Sequence, residues 1–148
     1  MKNGLYHVEV YWPDEIQNQI DKALNSGLRF NFDQHAIENM YVRSISIEGI
    51  TIDKLKKGHC FEAEVRKNRV VKFVIRYGYN DTYDLATVWL PRADCLYCRT
   101  IWLNEKDDKH YTLDKGKYVQ GEAEDNVQHI SISIGDIIKQ QQDNKKGQ

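Results

Sequence analysis

The chain has no long hydrophobic run and little cysteine or proline. Its 148 residues include three cysteines and two prolines. No apolar stretch approaches the roughly 20 residues that a membrane-spanning helix needs, so we expect no membrane association. Three cysteines are too few, and odd in number, for a disulfide framework, which predicts reduced thiols. Residues 1–7 lack the apolar segment and cleavage site of a signal peptide, and we therefore expect a cytoplasmic protein.

A large excess of charge is also missing. The formal net charge is −1 at pH 7, whereas proteins that bind phosphate chains normally carry a basic excess. The distribution is uneven, because eight basic residues stand against two acidic ones between Lys54 and Arg76. A basic face is one interpretation, and the solvated side of a helix and a hairpin is the other. The candidate RNA-binding residues of this basic face are Lys54, Lys57, Arg66, Lys67, Arg69 and Lys72, with Tyr111 as an aromatic partner.

Signatures of the common cofactor sites are absent as well. We find no glycine-rich phosphate loop, metalloprotease helix, nucleophile elbow or kinase signature. Cys95 and Cys98 have the spacing of zinc ligands, and His59 with Cys60 would complete a set of four. However, only this one pair of cysteines has the two-residue gap, and the adjacent residues His59 and Cys60 are poorly placed to bind the same ion. The alternative is that the thiols are buried or idle. We expect no cofactor.

The N-terminal half is predicted to hold a strand and two or three helices. Apolar and polar residues alternate over 7–12 as in a half-buried strand, which Pro13 ends. Residues 28–32 are predicted to form a brief strand or an extended link. The predicted helices are residues 14–25, a second helix capped by Asp33, and a short third helix from Ser46 to Gly58.

After Gly58 the pattern changes to a period of two, which predicts consecutive strands. The strands predicted from it are 61–65 and 71–75 joined by a tight turn at Lys67-Asn68, then 85–90, 98–104 and an edge strand at 127–134. Together these elements predict an α+β fold, with two or three helices on one face of a four- or five-stranded antiparallel twisted sheet. We expect one domain over residues 1–138 and a polar, frayed tail over 139–148.

The most informative segment runs from Phe32 to Arg43 and continues into Ser46-Ile47-Glu48. It sets His35-Ala36 and Arg43 on a short amphipathic helix, and much later a strand from Cys98 to Asn104 carries a threonine. This order of elements resembles small RelE-like domains of the superfamily that includes barnase, EndoU, colicin nucleases and RelE toxins. The resemblance covers roughly residues 30 to 119. The sequence departs from the pattern where Glu38-Asn39 replaces the basic residue expected three or four positions after the His-Ala pair.

The resemblance implies RNA cleavage, and that chemistry needs particular groups. A base removes the 2′-hydroxyl proton, an acid protonates the leaving 5′-oxygen, and cations hold the charge that grows on the phosphate. Histidine suits the first two roles and arginine the third. The candidates are His35 and His110 for base and acid, Arg43, Arg76 and Arg99 for phosphate clamps, and Thr100 or Tyr111 for orienting the scissile group.

Each of these candidates also has a structural interpretation. His35 can be a helix residue that is hydrogen-bonded locally, and His110 can be a loop histidine among acidic residues. Arg43 can pair with the C-terminus of its helix, and Arg99 can be a strand residue that faces solvent.

Two functional hypotheses follow. The first is a RelE-like, metal-independent endoribonuclease of the toxin type, or a degenerate relative, which acts on RNA and is controlled by an antitoxin. The second is a non-enzymatic protein-binding module or inhibitor, encoded by a phage or mobile element, that binds a host protein. His35, Arg43, Arg76 and His110 favour the first hypothesis. The near-neutral charge and Asn39 favour the second.

Overall fold

The computed structural model describes residues 1–108 and 113–121, in which three α-helices lie against one six-stranded sheet. The predicted α+β class is confirmed. The helices are α1 (Asp14–Leu24), α2 (Gln34–Val42) and α3 (Ile52–Lys57). The strands are β1 (Gly4–His7), β2 (Arg29–Phe32), β3 (His59–Arg66), β4 (Arg69–Gly78), β5 (Tyr83–Pro91) and β6 (Cys95–Glu105).

The sheet is larger than predicted and of mixed direction. Its strand order is β1-β3-β4-β5-β6-β2. Strands β3 to β6 form the expected antiparallel meander, and β1 adds to β3 in antiparallel direction. At the other edge, β2 runs parallel to β6. The expectation of four or five antiparallel strands was therefore wrong, because the two strands that flank α1 in sequence complete opposite edges of the sheet.

The first strand also lies earlier than predicted. The sheet pairing of β1 covers Gly4 to His7, and the chain then turns. The N–H groups of Val10 and Tyr11 both donate to the carbonyl of His7 at 3.0 Å. The alternating pattern over 7–12 therefore belongs mainly to a turn, after which Tyr11 and Trp12 pack against the buried core.

Helix α1 forms as predicted, whereas the third helix is shorter than predicted. The apolar residues Ile16 and Ile20 of α1 are fully buried. Ser46 caps no helix, since its hydroxyl bonds Glu48 at 2.8 Å in a short 3-10 turn over Ile47–Gly49. Thr51 caps α3 instead, where its hydroxyl oxygen accepts the N–H of Lys54 at 3.3 Å.

Turns at the ends of the strands agree with the sequence. Lys67 and Asn68 both have positive φ angles, of 52° and 62°, as a two-residue hairpin turn requires. Pro91 is the last residue of β5. A second 3-10 turn covers Lys115–Lys117. The predicted strand at 127–134 and the predicted tail lie outside the described residues. In the described part, each helix is too short or too polar to traverse a lipid bilayer.

The main core lies between the sheet and the helices. Helices α1 and α3 contact each other and β4, where Ile16, Leu55 and Phe73 belong to one buried cluster. Helix α2 contacts β6 instead. The opposite face of the sheet carries a smaller buried cluster of Phe61, Val74 and Val88. The placement of α2 at the β6 edge brings polar side chains of both elements together.

Candidate functional site

Helix α2 begins where β2 leaves the sheet. The pairing of β2 with β6 ends at Phe32 opposite Cys98, and the N–H of Asp33 donates to the Cys98 carbonyl at 2.9 Å. Asp33 then caps α2, because its carboxylate accepts the N–H of His35 at 3.1 Å. The hydroxyl of Tyr97 on β6 donates to the other carboxylate oxygen. The first turn of α2, which carries His35, is therefore bound to β6.

The side-chain amide of Asn39 joins α2 to β6 one turn further along. Its Nδ2 atom lies 3.3 Å from the carbonyl oxygen of Ile101, 3.5 Å from Oγ1 of Thr100 and 3.5 Å from Nε2 of His35. The carbonyl of Ile101 can only accept a hydrogen bond. The atom of the Asn39 amide that faces it must therefore be the nitrogen, which donates. The Nε2 atom of His35 therefore faces an N–H donor, and this arrangement favours the tautomer in which Nε2 is an acceptor.

His35 and Thr100 become neighbours through this amide. Since both lie 3.5 Å from the same nitrogen, Nε2 of His35 and Oγ1 of Thr100 are at most about 7 Å apart. His35 is exposed and Thr100 is half-buried. An imidazole acceptor and a hydroxyl are thus within reach of one group bound at this surface.

Arg99 occupies a β-bulge next to Thr100. Val88 on β5 pairs with Thr100, and Trp89 pairs with Cys98, so Arg99 is the extra residue of β6. Bulges redirect side chains and are frequent beside functional sites. Arg99 is exposed, it adjoins Thr100 in β6, and its charge acts on Asp33 at the start of α2.

Two arginines interact with the Tyr97–Asp33 pair at the start of α2. The guanidinium carbon of Arg92 lies 3.9 Å from the centre of the Tyr97 ring, as in a cation–π contact. The hydrogen bond from Tyr97 is the largest cause that lowers the pKa of Asp33, and the charge of Arg99 lowers it further. The same hydrogen bond raises the pKa of Tyr97. Asp33 is therefore ionised and Tyr97 neutral at pH 7, with the charge of Arg99 acting on the carboxylate and Arg92 stacked on the Tyr97 ring.

These groups suit the chemistry of phosphate esters. An imidazole acceptor can take a proton, and a guanidinium fork matches two phosphate oxygens. The hydroxyl of Thr100 and the amide of Asn39 can orient the bound group through hydrogen bonds. We call the set of His35, Asn39, Arg99 and Thr100 the α2–β6 site.

Arg76 lies elsewhere and is bound to other groups. Its side chain is 6% exposed, and its Nε donates to Asp84 at 2.9 Å. Its Nη2 donates to the carbonyls of Glu105 and Asp108 at 3.0 and 2.9 Å. Arg76 also pairs with Ala86 on β5. Its own strand, β4, is two strands away from β6, the strand that α2 contacts. We therefore leave Arg76 out of the α2–β6 site, since these bonds give it a structural role.

The remaining predicted catalytic residues have different positions. Arg43 is the C-cap of α2, where its N–H donates to the Asn39 carbonyl at 3.1 Å. The four-residue spacing of His35, Asn39 and Arg43 places the three along one side of α2. His110 and Tyr111 lie outside the described residues, so the predicted acid is not located.

The predicted basic face is divided between two ends of the sheet. Lys54 and Lys57 lie on α3, next to the start of β3, while Arg66 and Arg69 flank the turn at the far end of β3. The length of β3 separates the two groups by about 23 Å. At the far end Arg66 and Lys72 both pair with Glu64, at 2.8 and 3.5 Å. The basic residues between Lys54 and Arg76 therefore include one group on α3 and another around the turn between β3 and β4.

The predicted zinc ligands are not brought together. Cys95 and Cys98 lie on β6 and Cys60 on β3, with two strands between them, a separation of about 14 Å. Among the described residues, no group of three or more histidine, cysteine or acidic side chains is placed to hold a metal ion. Burial raises the pKa of Cys60 and of Cys98 to about 12. The three free thiols are therefore structural in this part of the chain.

An exposed apolar surface lies on the far side of α2. Tyr41 is 87% exposed and Val42 is 76% exposed. Ile37 lies one turn before Tyr41, and Ile47 follows in the 3-10 turn, each 43% exposed. Large apolar side chains that cluster on a surface often mark an interaction site. We call these four residues the α2 apolar surface.

Sequence reasoning missed several residues of this region. Asn39 was noted only as a departure from the family pattern, although its four-residue spacing from His35 places both on one side of a helix. Asp33 was predicted as a cap and not as part of a site. Tyr97 and Arg92 carried no local signal, because their positions depend on the pairing of β2 with β6.

Comparisons of the chain with family models, with curated proteins and with solved structures found no match. The function is therefore argued from the geometry of the described residues.

Proposed function

We propose that the chain is a RelE-like, metal-independent endoribonuclease, or a degenerate relative of one, that acts at the α2–β6 site. There one side chain takes a proton from the RNA and another group returns a proton to the leaving oxygen. The observation that supports this proposal is the contact of the Asn39 amide with both His35 and Thr100. This contact favours Nε2 of the imidazole as an acceptor and brings it near a hydroxyl, on the strand that also carries Arg99.

In the proposed reaction, Nε2 of His35 takes the proton from a ribose 2′-hydroxyl. The 2′-oxygen then attacks the adjacent phosphorus, and the bond to the 5′-oxygen breaks. Arg99 and the hydroxyl of Thr100 stabilise the charge on the phosphate oxygens in the transition state. The leaving 5′-oxygen takes a proton from a general acid, for which His110 stays a prediction. The products are a 2′,3′-cyclic phosphate and a 5′-hydroxyl.

The test is incubation of the purified chain with end-labelled single-stranded RNA. We expect fragments with cyclic phosphate ends, and no cleavage at a position where the 2′-hydroxyl is replaced by hydrogen. His35→Ala should lower the rate on the order of 100-fold or more, as loss of a general base does. Asn18→Ala, at an exposed position on α1, serves as the control and should cleave at the wild-type rate.

Three results would count against this proposal. The first is intact RNA after long incubation with the wild-type chain. The second is equal cleavage of the 2′-deoxy substrate, which would rule out attack by the 2′-oxygen. The third is full activity of His35→Ala, which would place the reaction at another site.

A second candidate function is favoured by the α2 apolar surface. Tyr41 and Val42 are far more exposed than the apolar residues of the core, as expected for residues that contact a partner protein. A binding module of this kind should leave RNA intact and should not arrest bacterial growth when expressed. A host protein that co-purifies with the wild-type chain and with His35→Ala, but not with Tyr41→Ser, would favour this function over cleavage.

A further inference from the structure

A pocket of about 500 Å³ opens at the end of the sheet where β3 begins and β4 ends. This volume is in the range of sites for small molecules. Among the described residues, four cationic side chains and one carboxylate line it. They are Lys54 and Lys57 from α3, Arg76 from β4, Asp84 from β5, and Lys106 after β6.

The floor of the pocket is a fixed network of charges. Asp84 accepts from Arg76 at 2.9 Å and from Lys106 at 3.0 Å. Burial disfavours ionisation of Asp84, but the hydrogen bonds from Lys106 and Arg76 outweigh it and hold the pKa of this carboxyl below its usual range. The Asp84 carboxylate thus already pairs with two cations. It does not neutralise the lysines of α3.

Lys54 and Lys57 bring the excess positive charge. Within residues 1–108 and 113–121, no carboxylate forms an ion pair with either lysine. Both are exposed on the last turns of α3. Positive charges collected at the mouth of a concave surface attract an anion more strongly than the same charges spread over a flat one.

Two glycines line the pocket. A Cβ atom at Gly58 would lie 2.7 Å from Cγ2 of Ile75 and 3.0 Å from the Arg76 carbonyl, so only glycine lets the end of α3 approach β4 this closely. A Cβ atom at Gly78 would lie 3.2 Å from Nζ of Lys106. A side chain at residue 78 would therefore displace the end of the Lys106 side chain by a few tenths of an ångström.

We propose that this pocket binds a small phosphorylated ligand, of the size of pyrophosphate or a mononucleotide, through Lys54, Lys57 and Lys106. Phosphate oxygens would replace water at the three ammonium groups, and the buried Arg76 holds the loop that carries Lys106. The pocket is separate from the α2–β6 site. Arg76 aligns with Ala86 on β5 and Trp102 on β6, so it lies two strands, or about 10 Å, from β6.

The test is calorimetric titration of the full chain with pyrophosphate and, in a second series, with AMP. We expect saturable binding of both that weakens as sodium chloride is added, because salt screens the charges. Lys57→Gln and Lys106→Gln should each weaken binding roughly tenfold, since each removes one charged hydrogen-bond donor. Lys22→Gln, an exposed lysine on α1, is the matched control and should bind as the wild type does.

Melting curves of each variant show whether it is folded, and Lys57→Gln carries the test if Lys106→Gln unfolds. The proposal is overturned if neither probe binds at millimolar concentration, or if Lys57→Gln binds like the wild type. It is also overturned if Lys22→Gln loses as much affinity as Lys57→Gln, because attraction by the total charge then explains the binding. Saturable binding of single-stranded RNA, together with no binding of pyrophosphate or AMP, would also overturn the proposal. The ligand of the pocket would then be a nucleic acid and not a small molecule. Since no probe is cleaved, the result is independent of any ribonuclease activity.

Discussion

The hydroxyl of Tyr97 donates a hydrogen bond to the carboxylate of Asp33. Tyr97 lies on β6, and Asp33 is the cap of α2. This bond joins the start of the helix to the sheet at the point where β2 ends. The position of His35 relative to β6 depends on it, because His35 follows the cap by two residues and donates its own N–H to the same carboxylate.

We expect Tyr97→Phe to lower the melting temperature at neutral pH and to have a smaller effect in acid. The pKa of Asp33 is lowered in the folded chain, so its contribution to stability is complete above its ordinary value of 3.8 and is lost as the pH falls through the lower folded value. The pKa of Tyr97 is raised, so its contribution is complete below 10.0 and is lost as the pH rises through the higher folded value.

Melting curves of the wild type and Tyr97→Phe, followed by circular dichroism from about pH 2 to pH 11, test this prediction. The difference in melting temperature should be largest between about pH 5 and pH 9 and should shrink at both extremes. Asp33→Asn should likewise lower the melting temperature most at neutral pH and have a smaller effect in acid, where the wild-type carboxylate is protonated as well. A difference that stays constant down to pH 2 would contradict a role for the ionised carboxylate.

Asn39→Ala should release the imidazole of His35. Without the amide N–H beside Nε2, the ring is no longer held as the Nδ1–H tautomer. Nitrogen NMR of the imidazole should show the Nδ1–H form in the wild type and a mixture in the variant. If the proposed reaction occurs, kcat should fall about tenfold with little change in KM, as expected for a positioning residue.

Two observations would separate positioning from a general loss of structure. Asn18→Ala should leave both the NMR signals of His35 and the rate unchanged. Asn39→Asp should shift the acid limb of the pH–rate profile to higher pH, because a carboxylate stabilises the protonated ring. A wild-type ring that is mainly the Nε2–H tautomer would contradict the proposed orientation of the amide.

Thr87→Val should destabilise the fold by about 1–3 kcal/mol, because it leaves a buried donor without an acceptor. The indole N–H of Trp89 donates to the hydroxyl of Thr87 at 2.7 Å, and this hydroxyl donates to the Ile75 carbonyl at 2.9 Å. Both side chains are fully buried. Urea unfolding measures the loss, and Thr82→Val at an exposed position is the control. Equal stabilities of the two variants would show that the indole finds another partner.

The parts of the fold that could be predicted are those with a local signal. Helix α1 is predicted by the four-residue spacing of Ile16, Ile20 and Leu24, and the hairpin by Lys67-Asn68, which accept the positive φ angles of the turn. Such signals need only neighbouring residues, and the structure confirms them.

The parts that could not be predicted depend on contacts between distant segments. Nothing near Arg29–Phe32 shows that this strand runs parallel to β6, and the site follows from that pairing. Arg76 was predicted as a phosphate clamp because the sequence does not distinguish an exposed arginine on a strand from a buried one. Its partner Asp84 is recognisable only once β4 and β5 are aligned.

The thiols of Cys60 and Cys98 should resist alkylation in the folded chain. Burial raises the pKa of each to about 12, so at pH 8 only about one molecule in ten thousand carries the reactive thiolate. Mass spectrometry after treatment with iodoacetamide should find both unmodified in buffer and modified in concentrated urea. Rapid modification of Cys98 in buffer would mean that the β2 edge opens in solution.

Replacing Tyr41 and Val42 with serine should cost little stability, within about 0.5 kcal/mol, because neither side chain is buried in the fold. Met40, one turn after Ala36 in the same buried cluster, is 4% exposed, so Met40→Ala should cost about 2–5 kcal/mol. Urea unfolding compares the two. A large loss in Tyr41→Ser/Val42→Ser would contradict the exposure of this surface and would mean that it is covered in solution. Light scattering would then show whether a second copy covers it, since the mass would fall from dimer to monomer in the variant.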